Sequence, residues 1–339
     1  MSNSLGHAAR RVALMALATG FGAAAAQGQE FTMGYSVGFL TDPFQAIQVD
    51  LTMASAEQAG LKTLPVANAN GDAGKQITDF HTLIAQGAQG IIVVPTDSDA
   101  IVPALSYAAQ QEVPVVAIDI GPSGGKTAMI VRADNIRMGE DACQEMGKAL
   151  GAKGRVLSMM GDQATTNGRD RTTGFKQCMA ESFPEIELIE QPTYWKTDRA
   201  TSVAQTVVTS TPDLAGIYMQ SDAVMLAGVL NVLKSADRQT KVGESDHIYL
   251  ISIDGTPYAL EQVREGLLDA AISQPLNLYV KHGLQYLQAA VAGETFEVGE
   301  TDHDSRIEDF NGNLMDLLPA PVVTAANVDD PDLWANQVK

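Results

Sequence analysis

The side chains able to do chemistry in this chain of 339 residues gather just beyond its apolar runs. Asp42 and Phe44 follow FTMGYSVGFL (31–40), and Asp119 follows PVVAI. A polar stretch, GDQATTNGRDRTTGF (161–175), follows RVLSMM and carries Arg169 and Arg171. Tyr194 and Trp195 come after EIELIEQP, Ser221 and Asp222 after LAGIYMQ, Asp254 after HIYLISI, and Gln274 after DAAIS. Carboxylates, an amide, a guanidinium and flat aromatic faces together suit a polyhydroxylated ligand. Its hydroxyls would donate to the carboxylates and accept from arginine, and the rings would cover its C–H faces. A few convergent polar groups in a concave site are the usual form of small-molecule recognition. Each residue alone also has a plainer duty. Asp42 before Pro43 suits a helix N-cap, and Asp119 and Asp254 can cap turns.

The two arginines carry more information. Thr166 or Asn167 can cap the helix that follows, and with Asn167 as cap Asp170 stands at the third helical position, a variant of the capping box. Arg169 and Arg171 then fall near the first turn, where the helix dipole favours acids by a few tenths of a kcal/mol. Arginine offers several fixed donors for hydroxyl or carboxylate oxygens, and local misfits of this kind gather at functional sites. Arg171 is the expected ligand contact. Arg169 is expected to pair with an acid at the surface or the hinge.

Other chemistry is poorly supported. GPSGGKT (121–127) follows a strand-like run, but a phosphate loop needs a glycine where Ile120 stands. No GxGxxG opens a helix after the first strand, and no GxSxG nucleophile signature occurs. His81, His247, His282 and His303 are not at metal-ligand spacing. We therefore expect no cofactor, no metal and no catalytic residue.

The elements that must position these residues are legible. Strand-like runs at 31–40, 62–67, 90–95, 114–120, 155–161, 185–191, 214–220, 247–255 and 269–274 alternate with helical patterns at 44–59, 75–87, 99–111, 135–150, 168–182, 198–210, 222–236, 257–265 and 276–292. Several strands are apolar on both faces, as parallel strands covered by helices must be. Repeated βαβ units of this spacing predict an α/β fold of two doubly wound parallel-sheet lobes with a ligand cleft between them. The expected division is 27–132 with 275–300 for the first lobe, 133–274 for the second, and 301–339 as a tail wrapping the surface. Open α/β sheets bind ligands beyond the carboxyl ends of their strands, which is where the polar set lies.

Arg10 and Arg11 precede a run of 15 residues, VALMALATGFGAAAA, ending in small residues. The run is short of the roughly 20 residues that span a bilayer, so residues 1–26 read as a secretory signal peptide cleaved near Ala26. A formal net charge of −19 argues against nucleic acid or an anionic membrane as partner. In an oxidising compartment the two cysteines, Cys143 and Cys178, permit one disulfide; two separate buried thiols are the alternative.

The segments TDPFQ, VVPTDSDAI, VPVVAID, RADN, GRDRTTGF, SDAVMLAG, IDGTP and AAISQ, in this order over about 31–275, resemble the periplasmic sugar-binding proteins of the ribose-binding type, type I periplasmic binding proteins that serve ABC importers. The resemblance implies ligand contacts at Asp42, Phe44, Gln45, Asp119, Arg171, Trp195, Ser221, Asp254 and Gln274. Ribose binders typically have Asn at the position of Asp42, Phe at Gln45, Arg at Ile120 and Asn at Ser221. These departures leave another pentose, a hexose, an alditol or a cyclitol as open as ribose. The tail motif NVDDPDLW is similar to one carried by some sugar-binder subfamilies. The implied mechanism is closure of the lobes about hinges near 131–134 and 274–276, with a third near 255, followed by docking of the closed monomer on a membrane permease. The other readings are a binder that presents its ligand to a chemosensory receptor and a secreted carbohydrate-acting enzyme using Asp119 or Asp254.

Overall fold

The computed structural model describes residues 31–338; the expected signal peptide and its cleavage point near Ala26 lie outside the described residues. Two α/β lobes result. The first is built on strands β1 (Thr32–Val37), β2 (Lys62–Thr63), β3 (Ala67–Asn68), β4 (Gly90–Val93), β5 (Val115–Ile118) and β6 (Met129–Ala133), interleaved with helices α1 (Pro43–Gln58), α2 (Ala73–Ala85) and α3 (Val102–Gln110). The second has β7 (Lys153–Met160), β8 (Glu185–Pro192), β9 (Leu214–Met219), β10 (Tyr249–Asp254) and β11 (Ala270–Ser273) with α4 (Asn135–Ala149), α5 (Thr166–Ser182), α6 (Thr197–Ser210), α7 (Asp222–Ser235) and α8 (Pro257–Glu265). Helix α9 (Leu276–Val291) packs on α1, β4, β5 and β6.

The core strand order is β6-β5-β4-β1-β2 in one sheet and β11-β10-β9-β7-β8 in the other, all parallel. The order reverses between β1 and β4 and between β7 and β9. That switch opens a crevice at the strand ends in each lobe. β4, β5 and β11 are buried at every position, which explains their unbroken Val, Ile and Ala runs.

Residues 299–338 differ from the expected surface tail. β12 (Gly299–Glu300), β13 (Arg306–Phe310) and β14 (Asn313–Leu318) extend the first sheet, with β14 parallel to β6. β15 (Val322–Val323) then pairs antiparallel with β11 in the second sheet, and the short helix α10 (Trp334–Gln337) follows. The chain thus crosses between sheets after β6, after β11 and after β14. The third crossing is Pro319-Ala320-Pro321, not near 255. Gly255 follows β10 within the second lobe, where Asp222 accepts from its N–H at 2.8 Å.

Helices α4 and α5 cross closely. A Cβ on Gly139 would meet the Arg171 carbonyl at 2.5 Å, and one on Gly174 would meet the Ile136 carbonyl at 2.1 Å, so only glycine permits the approach. One turn further, Cys143 and Cys178 form a disulfide. The bond and the glycines fix α5, and with it Arg171, against α4.

Candidate functional site

Eleven residues wall one cavity in the cleft: Asp42, Phe44, Gln45, Asp119, Ile120, Asn167, Arg171, Trp195, Ser221, Asp254 and Gln274, with a cavity volume of about 20 Å³. That is room for a water or two, well below the roughly 300–1,000 Å³ of ordinary ligand pockets, so the lobes stand closed more tightly than a bound sugar would allow. All nine residues expected from the sequence are brought together. Asn167 and Ile120 are added.

On the first-lobe side, Asp42 caps α1: its Oδ1 accepts from the Phe44 N–H at 2.9 Å, and Pro43 opens the helix. The second carboxylate oxygen is left for other partners, so capping and ligand contact are compatible. Gln45 Oε1 accepts from the Phe39 N–H at 3.0 Å, which leaves its amide NH₂ as a donor. Asp119 follows β5 with φ of +63°, a left-handed conformation that Asp tolerates better than most side chains. Its Oδ1 accepts from Asn167 Nδ2 at 2.8 Å.

On the second-lobe side, Arg171 is 2% exposed. Its Nε donates to Asn135 Oδ1 at 2.7 Å, Nη1 donates to the Gln220 carbonyl, and Nη1 lies 3.7 Å from Asp254. Nη2 is buried without a partner. Leaving a charged buried donor unmade costs on the order of 1–3 kcal/mol or more. Asp254 accepts from Ser221 Oγ at 2.6 Å, from the Ala223 N–H at 3.3 Å and from Gln274 Nε2 at 2.8 Å. Its backbone is strained at φ of +113°. Asp222 anchors the adjoining loop through Ser252, Gly255 and Thr256. Trp195 stands at φ of +56°, donates from Nε1 to Thr165 Oγ1 at 3.3 Å, and has the Arg171 guanidinium 5.8 Å from its ring centre. The indole lies over Gly161, where a Cβ would come within 1.8 Å of the ring.

Three carboxyls share the cavity with one guanidinium, and their acidities show it. Burial, countered by Arg171 and raised further by Asp254, pushes Asp119 up to about 6. Burial also raises Asp254, with Arg171 opposing. Asp42 is half-buried; withdrawal from water and repulsion by Asp254 push it up to about 8, and the water it still meets works against that push. Asp222, beneath the site, rises to about 7 through burial and then Asp254. A ligand rich in hydroxyl donors would satisfy the ionised forms.

The sequence offers Thr166 or Asn167 as the cap of α5. The cap is Thr165, whose Oγ1 accepts from the Gly168 N–H at 3.2 Å. Asn167 instead faces across the cleft, joining Asp119 and accepting from Arg132 Nη2 at 2.8 Å. Asp170 is no capping-box acid but pairs with Arg132 at 2.9 Å. Arg171 accordingly lies in the second turn, beyond the strongest dipole effect; its burial, rather than helix position, marks it. Asn167 precedes Arg171 by four residues, the spacing of one helix face, and that spacing is the signal that was available. Arg169 spans the lobes, with Nη2 on Ser123 Oγ at 3.0 Å and Nη1 3.7 Å from Asp99. Beside it Thr166 exchanges hydrogen bonds with Ser98 and Gly121 across the cleft.

Residues 33–295 match the family described as periplasmic binding protein domain. The chain belongs to that family. It is 26% identical over 282 residues to a ribose import binding protein of Haemophilus influenzae, covering 83% of this chain and 93% of that one. It is 28% identical to a xylitol-binding protein of Mycolicibacterium smegmatis, over 67% of this chain and 63% of that one. Among solved structures, a Caulobacter myo-inositol binding protein bound to myo-inositol superposes with a TM-score of 0.76 at 25% identity, over 89% of this chain and 96% of that one.

Proposed function

We propose that this periplasmic binding protein captures a neutral sugar or polyol between its two lobes and hands it to the permease of an ABC importer, without making or breaking a bond. The observation that carries this reading is the buried, unpartnered Nη2 of Arg171, on a wall shared with three acceptor carboxyls. A polyol supplies what both need: lone pairs for the guanidinium and O–H donors for the acids. Phe44 and Trp195 offer flat faces for its C–H surfaces. Relatives named for ribose and xylitol, and a fold neighbour holding myo-inositol, are of the same chemical kind.

Asp42, Phe44, Gln45, Asp119, Arg171, Trp195, Ser221, Asp254 and Gln274 are the proposed contacts, with Asn167 added. The lobes divide near 132/133 and 274/275, and closure turns on the three sheet-to-sheet crossings. The protein acts as a monomer in the periplasm after cleavage near Ala26, and the full chain's net charge of −19, made more acidic by the loss of Arg10 and Arg11, disfavours nucleic acid as a partner.

Thermal unfolding of the mature protein against pentoses, hexoses, alditols and cyclitols tests the reading. A binder stabilised by RT ln(1 + [L]/Kd) melts higher by an amount that grows with ligand concentration, and the ligand is recovered unchanged. A panel with no stabilising member, or one converted to product, would contradict it.

A further inference from the structure

The final segment of the chain docks on the second lobe. Arg264 of α8 donates from Nε to Asp329 at 2.8 Å and from Nη2 to the Val328 carbonyl at 3.1 Å and Asn336 at 2.8 Å. From that base Trp334, 2% exposed, makes two contacts of different kinds. Its Nε1–H donates to the Asp254 carbonyl at 3.2 Å, at the strained residue of the second-lobe wall. Its ring meets Phe44 of the first lobe edge-on, with centroids 5.7 Å apart and planes at 86°. A second contact follows the same path, from Asn277 at the start of α9 to Gln337 at 2.6 Å.

We propose that Trp334 is a positioning residue for ligand capture. It braces Phe44 and Asp254, one from each wall, and its contact with Phe44 forms when the lobes close. The inference rests on the capture reading above. An edge-to-face aromatic pair contributes beyond its buried area, and a contact present only in the closed form acts on escape of the ligand more than on its entry. Trp334 does not line the ligand cavity but borders a separate groove with Pro275 and Leu278; it acts chiefly through Phe44, and its hydrogen bond to the Asp254 carbonyl sets where the ring sits.

A double-mutant cycle with the best stabilising polyol of the panel tests this, using Phe44→Leu, Trp334→Leu and the double variant, with affinity and both rate constants measured. Trp334→Leu is expected to weaken binding roughly tenfold in the parent, nearly all of it as faster dissociation, and by less than about twofold when Phe44 is already Leu. Trp334→Phe keeps the aromatic edge and loses the Nε1–H, and is expected to recover most of the loss. Equal losses from Trp334→Leu in both backgrounds, or a loss confined to association, would overturn the role while leaving polyol capture standing. A parent protein that binds no member of the panel removes the capture reading and this inference with it. Melting of the unliganded variants separates a folding defect: a Trp334→Phe protein that melts like the parent yet binds like Trp334→Leu also overturns the proposed coupling through Phe44.

Discussion

The two walls of the cavity are built differently. On the second lobe the two charged groups are braced by neighbours from the same lobe, and Asn167 reaches across to Asp119 and Arg132. Arg171 is held by Asn135 and the Gln220 carbonyl, and Asp254 by Ser221, the Ala223 N–H and Gln274. Beneath them Gln220 Oε1 accepts from the Gly161 N–H while its Nε2 donates to Thr172. On the first lobe, Asp42 and Gln45 satisfy only N–H groups of the β1–α1 loop and the first turn of α1, and the side chain of Asp119 finds its partner across the cleft in Asn167. Bracing of this kind fixes geometry before a ligand arrives, so that less ordering is left to be done on binding. The second lobe is therefore the preformed half of the site, and the first lobe brings acceptors whose partners exist only in the closed state.

Substitutions and pH can break this contrast. The largest effect is expected for Arg171→Ala, which removes the only guanidinium among the cavity-lining residues. Titration calorimetry should show a loss of about a hundredfold or more, the scale of one or two charged hydrogen bonds. The unliganded protein should also melt lower, because Asn135 and the Gln220 carbonyl lose their donor. Next is the pH response of Asp119. With its carboxyl at about 6 and ligand hydroxyls donating to the ionised form, affinity should rise about tenfold from pH 5 to pH 7 with release of a proton. Asp119→Asn should flatten that rise. Linkage gives the stability of the unliganded protein the opposite slope. The folded state holds the Asp119 proton above the unfolded value near 4, so stability falls as pH climbs from about 4 to 6, and calorimetric melting across that window checks the sign. Gln45→Ala, on the less braced wall, should cost only about threefold in affinity. The smallest change in affinity, within about twofold, is expected for Cys143→Ala with Cys178→Ala. The glycine crossing of α4 and α5 still positions Arg171, although loss of a bridge closing 35 residues should cost about 4 kcal/mol of stability and lower the melting temperature.

The residues read most easily from the sequence are those that end parallel strands. Asp119 follows the unbroken apolar run VVAI and Asp254 follows the largely apolar YLISI, and strand ends are where doubly wound sheets present ligands. Two parts were misread for different reasons. Asn167 is as good a cap as Thr165 by residue type, and its actual task depends on Asp119 and Arg132, 48 and 35 positions away, a contact that no local pattern encodes. Residues 301–318 fall within the expected tail of 301–339, although Asn311-Gly312 carries the strongest short hairpin signal. Both residues have positive φ, +53° and +80°, and join β13 to β14. The flanking acids and the short apolar stretches masked a period of two. The third crossing, at 319–321 rather than near 255, follows directly from that hairpin.

Hydrogen exchange of the unliganded and polyol-saturated protein tests the central contrast most directly. Preformed bracing predicts that amides 168–175 and 221–226 are already slow without ligand and change little. Those of 39–46 and 119–123 should slow markedly on saturation. Equal slowing of both walls, or slowing confined to 168–175 and 221–226, would contradict a fixed second lobe closed upon by the first.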